Sequence, residues 1–334
     1  QLSITSSPMV AYIGNPLDSP EVWLISANGG QAFQLTSTGG EIYDFSVSPD
    51  GKRIAYSAHK DRGGMDIYLI DRDGKEMEQL VDCGEYNCSQ MAWSPDSKQI
   101  AYSQYGPVLE DNPVVKVISV KPGFPVSNLL TGNIEGAYPS FSPDGRYFTF
   151  YSFSEGGHSV IDLEKNDRAI VPSNNPDRVS WSQDPAAMFY TSFANNGLLP
   201  QSVLMQYDLE MAQSQPILGD QLTGFDVSRV DWSPDGVWAV IGLKAPDDQS
   251  GRQIYLTRKD GQDFRAITAD AGASHAAYSW SPQGHQLIFQ RYTPGSSNSQ
   301  PEVMLWRGNT DSLDILVQAP SQADSIMRCL GFLS

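Results

Sequence analysis

Apolar residues along this chain come in short runs broken by polar turns, and nowhere do they recur at helical spacing. The runs read as β-strands in an order that repeats. A first strand ends in an aromatic residue or valine: Val47, Trp93, Phe141, Trp181, Trp232 and Trp280. A turn follows. A second strand then starts six residues after the turn's serine, as Ile54-Ala55-Tyr56, Ile100-Ala101-Tyr102, Phe148-Thr149-Phe150, Met188-Phe189-Tyr190, Ala239-Val240-Ile241 and Leu287-Ile288-Phe289. A third strand follows a loop of variable length, for example Ile67-Tyr68-Leu69-Ile70 or Val303-Met304-Leu305-Trp306. A polar turn such as Asp71-Arg72-Asp73-Gly74 leads to a fourth. Four antiparallel strands make one unit.

The turn is the tetrapeptide Ser48-Pro49-Asp50-Gly51, Ser94-Pro95-Asp96-Ser97, Ser142-Pro143-Asp144-Gly145, Ser182-Gln183-Asp184-Pro185, Ser233-Pro234-Asp235-Gly236 and Ser281-Pro282-Gln283-Gly284. Its serines stand 46, 48, 40, 51 and 48 residues apart. Proline presets the turn and glycine supplies a positive φ. A constant offset to the second strand means one turn geometry and one register. A period of this size built from β-strands predicts propeller blades. The chain opens with Val10-Ala11-Tyr12, a second strand without its first, and closes with Leu330-Gly331-Phe332, a first strand without its second. The expectation is therefore an all-β, seven-bladed propeller of four-stranded antiparallel blades. Its last blade is closed by pairing of the N- and C-terminal strands, and residues 1–334 form a single domain. A six-bladed ring with a stray terminal blade is the alternative.

Charge narrows the partners. There are 39 acidic and 22 basic residues, a formal net charge of −17. That balance disfavours nucleic acid, whose phosphates need Lys and Arg, and docking on anionic lipid. It fits a solubilising surface, with calcium or a basic partner as the alternative. No apolar run reaches the length of a membrane span, so no direct membrane insertion is expected. Cys83 and Cys88, with four residues between them, sit between two repeats, where a disulfide is the favoured reading and free thiols the next. Cys329 reads as a small buried residue of the closing strand. A disulfide, and a chain beginning at Gln1, point to a mature extracytoplasmic protein: periplasmic, cell-surface or secreted.

The pattern Trp-Ser-Pro-Asp-Gly followed by Ile-Ala-Tyr, Ile-Tyr-Leu and an Asp-x-Asp-Gly turn resembles the TolB-like propellers with WD-like repeats. It is clearest over residues 45–80, 91–102 and 230–268 and extends over essentially the whole chain. The resemblance implies architecture more than activity, because its members include periplasmic scaffold proteins, gating domains of prolyl oligopeptidases and polysaccharide lyases. TolB-like proteins usually have six blades and a small second domain, from which this chain departs.

Chemistry is sparse. There is no Gly-x-Ser-x-Gly elbow, P-loop or dinucleotide fingerprint. The turn aspartates recur once per repeat, as hydrogen-bonding turn residues do. Four histidines are present, His59, His158, His275 and His285. His59 and His158 fall in expected loops. His275 and Gln90, each near the start of a first strand, are the candidate metal ligands if the chain resembles the lyases, which hold a divalent metal with histidines and a glutamine. The favoured expectation is no cofactor and no catalytic residue. The long loops between second and third strands share one face, and Tyr105, Val108, Leu109, Leu198 and Leu199 are its apolar groups. That face is expected to bind a protein partner as a scaffold or subunit of a larger extracytoplasmic assembly. A metal-dependent polysaccharide lyase is the alternative.

Overall fold

A computed structural model describes residues 8–14, 19–108, 111–121, 123, 126–183, 187–194, 201–246, 251–258, 260–294, 301–318 and 330–333. Nearly all regular structure is antiparallel sheet. Repeats three (137–172), four (180–216), five (226–266) and six (274–318) are each a four-stranded meander in chain order. Repeats one (42–81) and two (87–135) are two further meanders, counted as one eight-stranded sheet through a parallel bridge between Met65 and Asn87. The remaining sheet joins the two ends of the chain. Leu330–Leu333 pairs antiparallel with Met9–Gly14, placing Val10 opposite Phe332 and Tyr12 opposite Leu330. Glu21–Ser26 and Phe33–Gln34 complete it.

The serine turn is closed by its own side chains. Ser48 Oγ donates to Asp50 Oδ1 at 2.7 Å, Ser94 to Asp96 at 2.7 Å, Ser142 to Asp144 at 2.5 Å and Ser233 to Asp235 at 2.5 Å. Each aspartate also accepts from the backbone N–H two residues on, at Lys52, Lys98, Arg146 and Val237. The serine oxygen accepts from the N–H that starts strand two, in all six repeats from Arg53 to Gln286. These aspartates are spent on holding the turn. Gly51 has φ +66°, and Ser97, in the repeat that lacks the glycine, takes φ +59°.

Both faces of each sheet are buried, so strand two serves two neighbours. Ile54 and Tyr56 pack toward the terminal sheet with Ala11 and Leu24. Ala55, between them, packs toward repeat two with Met91 and Trp93. The same alternation joins repeat two to three through Ala101 and Phe148, three to four through Tyr147 and Trp181, four to five through Phe189 and Val230, and five to six through Val240 and Leu287. Repeat six in turn packs Ile288 and Leu305 against Val10, Tyr12 and Phe332 of the terminal sheet. Three interfaces carry a tryptophan staple. Trp93 Nε1 donates to Ser46 O at 3.0 Å, Trp181 Nε1 to Ser140 Oγ at 3.0 Å and Trp280 Nε1 to Asp231 O at 3.1 Å. The corresponding Trp232 Nε1 has no partner.

Candidate functional site

First strands from several repeats converge on a cavity of 510 Å³ lined by Phe45–Pro49, Arg178, Arg229, Ala277–Trp280 and Leu330–Phe332. Its two arginines come from one repeat position, three residues before the aromatic residue or valine that ends strand one. That position holds Asp44, Gln90, Tyr138, Arg178, Arg229 and Ala277. The register of strand one against strand two slips there in repeats one, two, three, five and six. Gln90, Tyr138 and Ala277 take positive φ of 58°, 60° and 52°. A bulge of this kind re-aims a side chain off the sheet.

The groups so placed engage one another across repeats. Asp44 accepts from Ser57 Oγ and, at 2.7 Å, from the Gln90 N–H. Gln90 Oε1 accepts from Ser103 Oγ at 2.8 Å, Tyr105 Oη at 2.9 Å and the Tyr138 N–H at 3.3 Å. Arg178 of repeat four reaches back to repeat two and donates to the carbonyls of Gln90 (2.9 Å) and Met91 (3.2 Å). Arg229 donates to Asp231 Oδ2 at 2.7 Å and to Tyr278 O at 3.1 Å, with its guanidinium 5.0 Å from the Tyr278 ring centroid. Tyr278 returns its hydroxyl to Arg229 O. The side chains of Arg229 and Asp231 are 40% and 28% exposed. Asp231 holds Arg229 charged. Enclosure pushes the Asp231 carboxyl up, with Arg229 pulling against it.

Arg178, Arg229 and Asp231 are charged residues of this candidate site that the sequence reading passed over. A signal was there. One residue before the aromatic, the repeats carry Ser46, Ala92, Ser140, Ser180 and Ser279, and only Asp231 is charged. Aligning the repeats on that residue singles out Asp231 as the one charged group at its position and puts Arg178 and Arg229 where repeat one has Asp44.

The sequence-predicted residues are placed as follows. Gln90 lies in this network, its side-chain oxygen already accepting three bonds. His275, in repeat six, is buried, with Nδ1 2.9 Å from Arg252 O and Nε2 3.3 Å from Asp270 Oδ2 without hydrogen-bond geometry. Burial pushes its pKa down, while the Arg252 carbonyl and Asp270 pull it up. Among the described residues, no hydrogen bond joins Gln90 and His275. Among the described residues, no group of three or more His, Cys, Asp or Glu is arranged to hold a metal ion.

His158 is not in a loop. It sits inside strand Gly157–Asp162, buried, because the turn preceding it is short. Its ring lies edge-on between Tyr151 and Tyr190, with neither nitrogen hydrogen-bonded. Burial lowers its pKa to about 4. His59 also belongs to a strand, ending Arg53–His59, where it is exposed beside Tyr43. Among the described residues, no histidine is hydrogen-bonded to a serine, threonine or cysteine side chain.

On the loop face, Val108 is 54% exposed. Tyr105 is not at a loop tip: it ends strand Gln99–Tyr105, half-buried, with its hydroxyl turned in to Gln90, and burial raises its pKa. Leu109, Leu198, Leu199 and Cys329 lie outside the described residues. Two exposed aromatics accompany Val108, Phe153 of repeat three and Phe193 of repeat four. Asn174 grips the Phe193 backbone at both N–H (2.7 Å) and C=O (3.0 Å). Cys83 and Cys88 are disulfide-bonded, with Cα atoms 6.3 Å apart. No helix among the described residues is long and apolar enough to cross a membrane.

Comparisons with known proteins add the following. No protein-family model matches the chain. It is 26% identical over 171 residues to Tricorn protease homolog 1 of Streptomyces coelicolor, a match covering 46% of this chain and 15% of that protein. It is 33% identical over 114 residues to a Sulfurisphaera tokodaii protein named as the C-terminal subunit of a Tricorn-like protease, covering 34% of this chain and 12% of the other. The matches thus span a small fraction of those relatives' lengths. Among solved structures, TolB from Acinetobacter baumannii superposes with a TM-score of 0.56 at 17% identity, over 97% of this chain and 82% of that one. The β-propeller domain of the Trilobed protease from Pyrococcus furiosus superposes with a TM-score of 0.65 at 12% identity, over 92% of each chain, and is described as having an open velcro topology. The chain has a TolB-like β-propeller fold.

Proposed function

We propose that residues 1–334 form one seven-bladed propeller, closed by its terminal strands, that serves as a non-catalytic interaction module of a larger protein assembly. Support for the closed ring comes from the pairing of Leu330–Leu333 with Met9–Gly14 and from apolar clusters that pass from each sheet to the next and back to the first. The observation that carries the functional reading is the internal use of the charged groups at the cavity. Arg178 is spent on the carbonyls of another blade and Arg229 on Asp231, an arrangement suited to bracing a frame rather than to moving protons on a substrate. Relatives named as Tricorn-like protease parts, and a propeller domain of a protease among the fold neighbours, favour a module that works beside a catalytic partner. The module as proposed needs no cofactor. Its partner is a protein that meets the loop face around Val108, Phe153 and Phe193, since exposed apolar groups on a rigid frame are interface anchors. The disulfide favours an extracytoplasmic location.

Cross-linking mass spectrometry on the protein isolated from its native source tests this. Cross-links from a second protein should concentrate on the loop face, and the double variant Phe153→Ser/Phe193→Ser should lose that protein while folding normally. A native protein that sediments alone, or partner cross-links confined to the serine-turn face, would overturn the reading.

A further inference from the structure

His158 stands where a polar ring has nothing to bond. It is 1% exposed, and neither ring nitrogen has a hydrogen-bond partner. A neutral imidazole carries one N–H and one acceptor, and leaving both unmet in the interior costs stability. Its own sheet places Tyr151 and Val171 opposite it. Repeat four supplies Tyr190 from across the interface, so the imidazole is held edge-on between two tyrosine rings, at 5.3 and 5.2 Å. The titratable groups that face it are thus Tyr151 and Tyr190, and Tyr207 interacts with Tyr190 in turn. Burial raises the pKa of all three, so they are neutral wherever an imidazole titrates. Among the described residues, no charged side chain acts on His158, and burial alone holds it neutral.

The same tyrosines seat the exposed aromatics of the loop face. Tyr151 meets Phe153 edge-on at 5.2 Å, and its hydroxyl donates to Ser173 O at 2.9 Å. Ser173 Oγ donates across the interface to Thr191 O at 3.3 Å, one residue beyond Tyr190. The next residue, Asn174, grips the Phe193 backbone at N–H and C=O. His158 is therefore wedged into the contact that fixes Phe153 and Phe193 relative to each other. An imidazolium there brings two N–H donors and a full charge into a site that offers no acceptor. Water can meet it once the two tyrosines part, and parting them breaks the hydrogen bonds at Ser173 and Asn174.

We propose that the loop face carries an acid-operated latch: protonation of His158 parts repeats three and four at Tyr151 and Tyr190 and unseats Phe153 and Phe193. The open state takes the proton first. The closed interface holds His158 neutral down to about pH 4, whereas an imidazole reached by water titrates at its ordinary 6.5. Opening is thus independent of pH above 6.5, grows easier as pH falls through that window, and levels off below 4. Between pH 7 and 4 the opening constant rises about 100-fold. The opening depends on the interface alone. Its consequence for a partner rests on the loop face being the interaction site proposed above.

Hydrogen exchange of the full chain at pH 7 and pH 4, corrected for intrinsic rates, tests the latch. Segments 147–162 and 187–194 should lose up to about 100-fold in protection. The second segment includes the Phe193 N–H, bonded to Asn174 Oδ1, and so reports on the seat directly. Strands Arg53–His59 and Trp238–Lys244, of repeats one and five, should keep their protection. His158→Phe keeps a ring in place and removes the titration, and should stay protected at pH 4. His158→Leu is the second variant if the phenylalanine form does not fold. The latch is overturned if the two segments stay protected at pH 4, if all repeats lose protection together, or if the loss persists in a folded variant. The chain is measured without a partner, so failure here leaves the interaction reading standing, and failure of the cross-linking leaves the latch standing.

Discussion

The interfaces between repeats three and four and between four and five are made from the same repeat and differ in how they are finished. In the first, Tyr147 covers Trp181, and the indole N–H is bonded to Ser140 Oγ. In the second, Ala187 leaves Trp232 to Phe189, whose ring meets it at 5.2 Å and 44°, and both Trp232 Nε1 and Ser180 Oγ are without partners. The bond that sets register is present in both, the strand-two N–H donating to the turn serine at 2.8 Å in repeat three and 3.2 Å in repeat four. Register is thus preserved where packing is not. A propeller can leave a slot open between two blades because each blade's own hydrogen-bond ladder does not pass through that interface.

Removing the indole should separate the two interfaces most strongly. Trp181→Ala deletes a covered ring and orphans its acceptor, and should lower unfolding stability by about 3–5 kcal/mol. Trp232→Ala removes a ring that borders a cavity and a donor that has no acceptor. Its loss should be about half as large. Urea titration of both variants measures the difference, and equal losses would mean that the staple contributes nothing.

The next effect belongs to the better-finished interface. His158, beside Tyr190 of repeat four, is held neutral by burial, with a folded pKa of about 4 against an ordinary 6.5. Its pKa is depressed, and the group is a base, so the unfolded chain binds the proton first. The contribution of this site is full above pH 6.5 and declines as pH falls toward 4. The decline totals roughly 3 kcal/mol. Stability measured between pH 7 and 4 should fall with a slope that His158→Phe reduces. A slope unchanged by that substitution would count against the assignment.

Frame and site were legible to different degrees in the sequence, for a physical reason. Turn and register are local: a Ser-Pro-Asp-Gly turn and a constant offset to Ile54, Ile100 or Phe148 determine them within a few residues. The pairing of Val10 with Phe332 was also legible, because a missing first strand at one end and a spare one at the other can only complete each other. The cavity was not. Arg178 acts on carbonyls 88 and 87 residues earlier in the chain, and nothing in its local sequence says so. Tyr105 looked like a loop tip because a proline and glycine follow closely, yet strand pairing with repeat two's first strand carries it to Gln90. His158 looked like a loop residue for the same reason, since Glu155-Gly156-Gly157 precedes it.

A smaller effect lies outside both interfaces. The Cys83–Cys88 disulfide closes a loop of only a few residues, so chain entropy assigns it about 2 kcal/mol. Cys83→Ser/Cys88→Ser should therefore lower stability by about that amount, with no change in either tryptophan interface. A melting curve with and without reductant gives the same comparison on the unaltered chain. Insensitivity to both would show that the bond does not form in solution.

The smallest expected effect is a gain, and it sharpens the comparison from the other side. Ala187→Tyr would give repeat four the residue that repeat three has at Tyr147. The slot is 280 Å³, and the new ring faces Trp232 as Tyr147 faces Trp181. Filling an existing void recovers buried apolar area, which commonly yields about 1 kcal/mol. The ring meets Phe189, already 5.2 Å from Trp232, and some of the gain goes into moving it. Inserting a tyrosine into a packed interface has the opposite sign, a loss of about 1–3 kcal/mol. Gln99→Tyr, at the equivalent place in repeat two, is the control, since it faces a repeat whose Phe141 and Phe148 rings already pack on each other, 4.8 Å apart and tilted by 56°. Urea midpoints that rise for Ala187→Tyr and fall for Gln99→Tyr would show that the slot is real. A fall for both would mean that the repeat four–five interface is packed in solution.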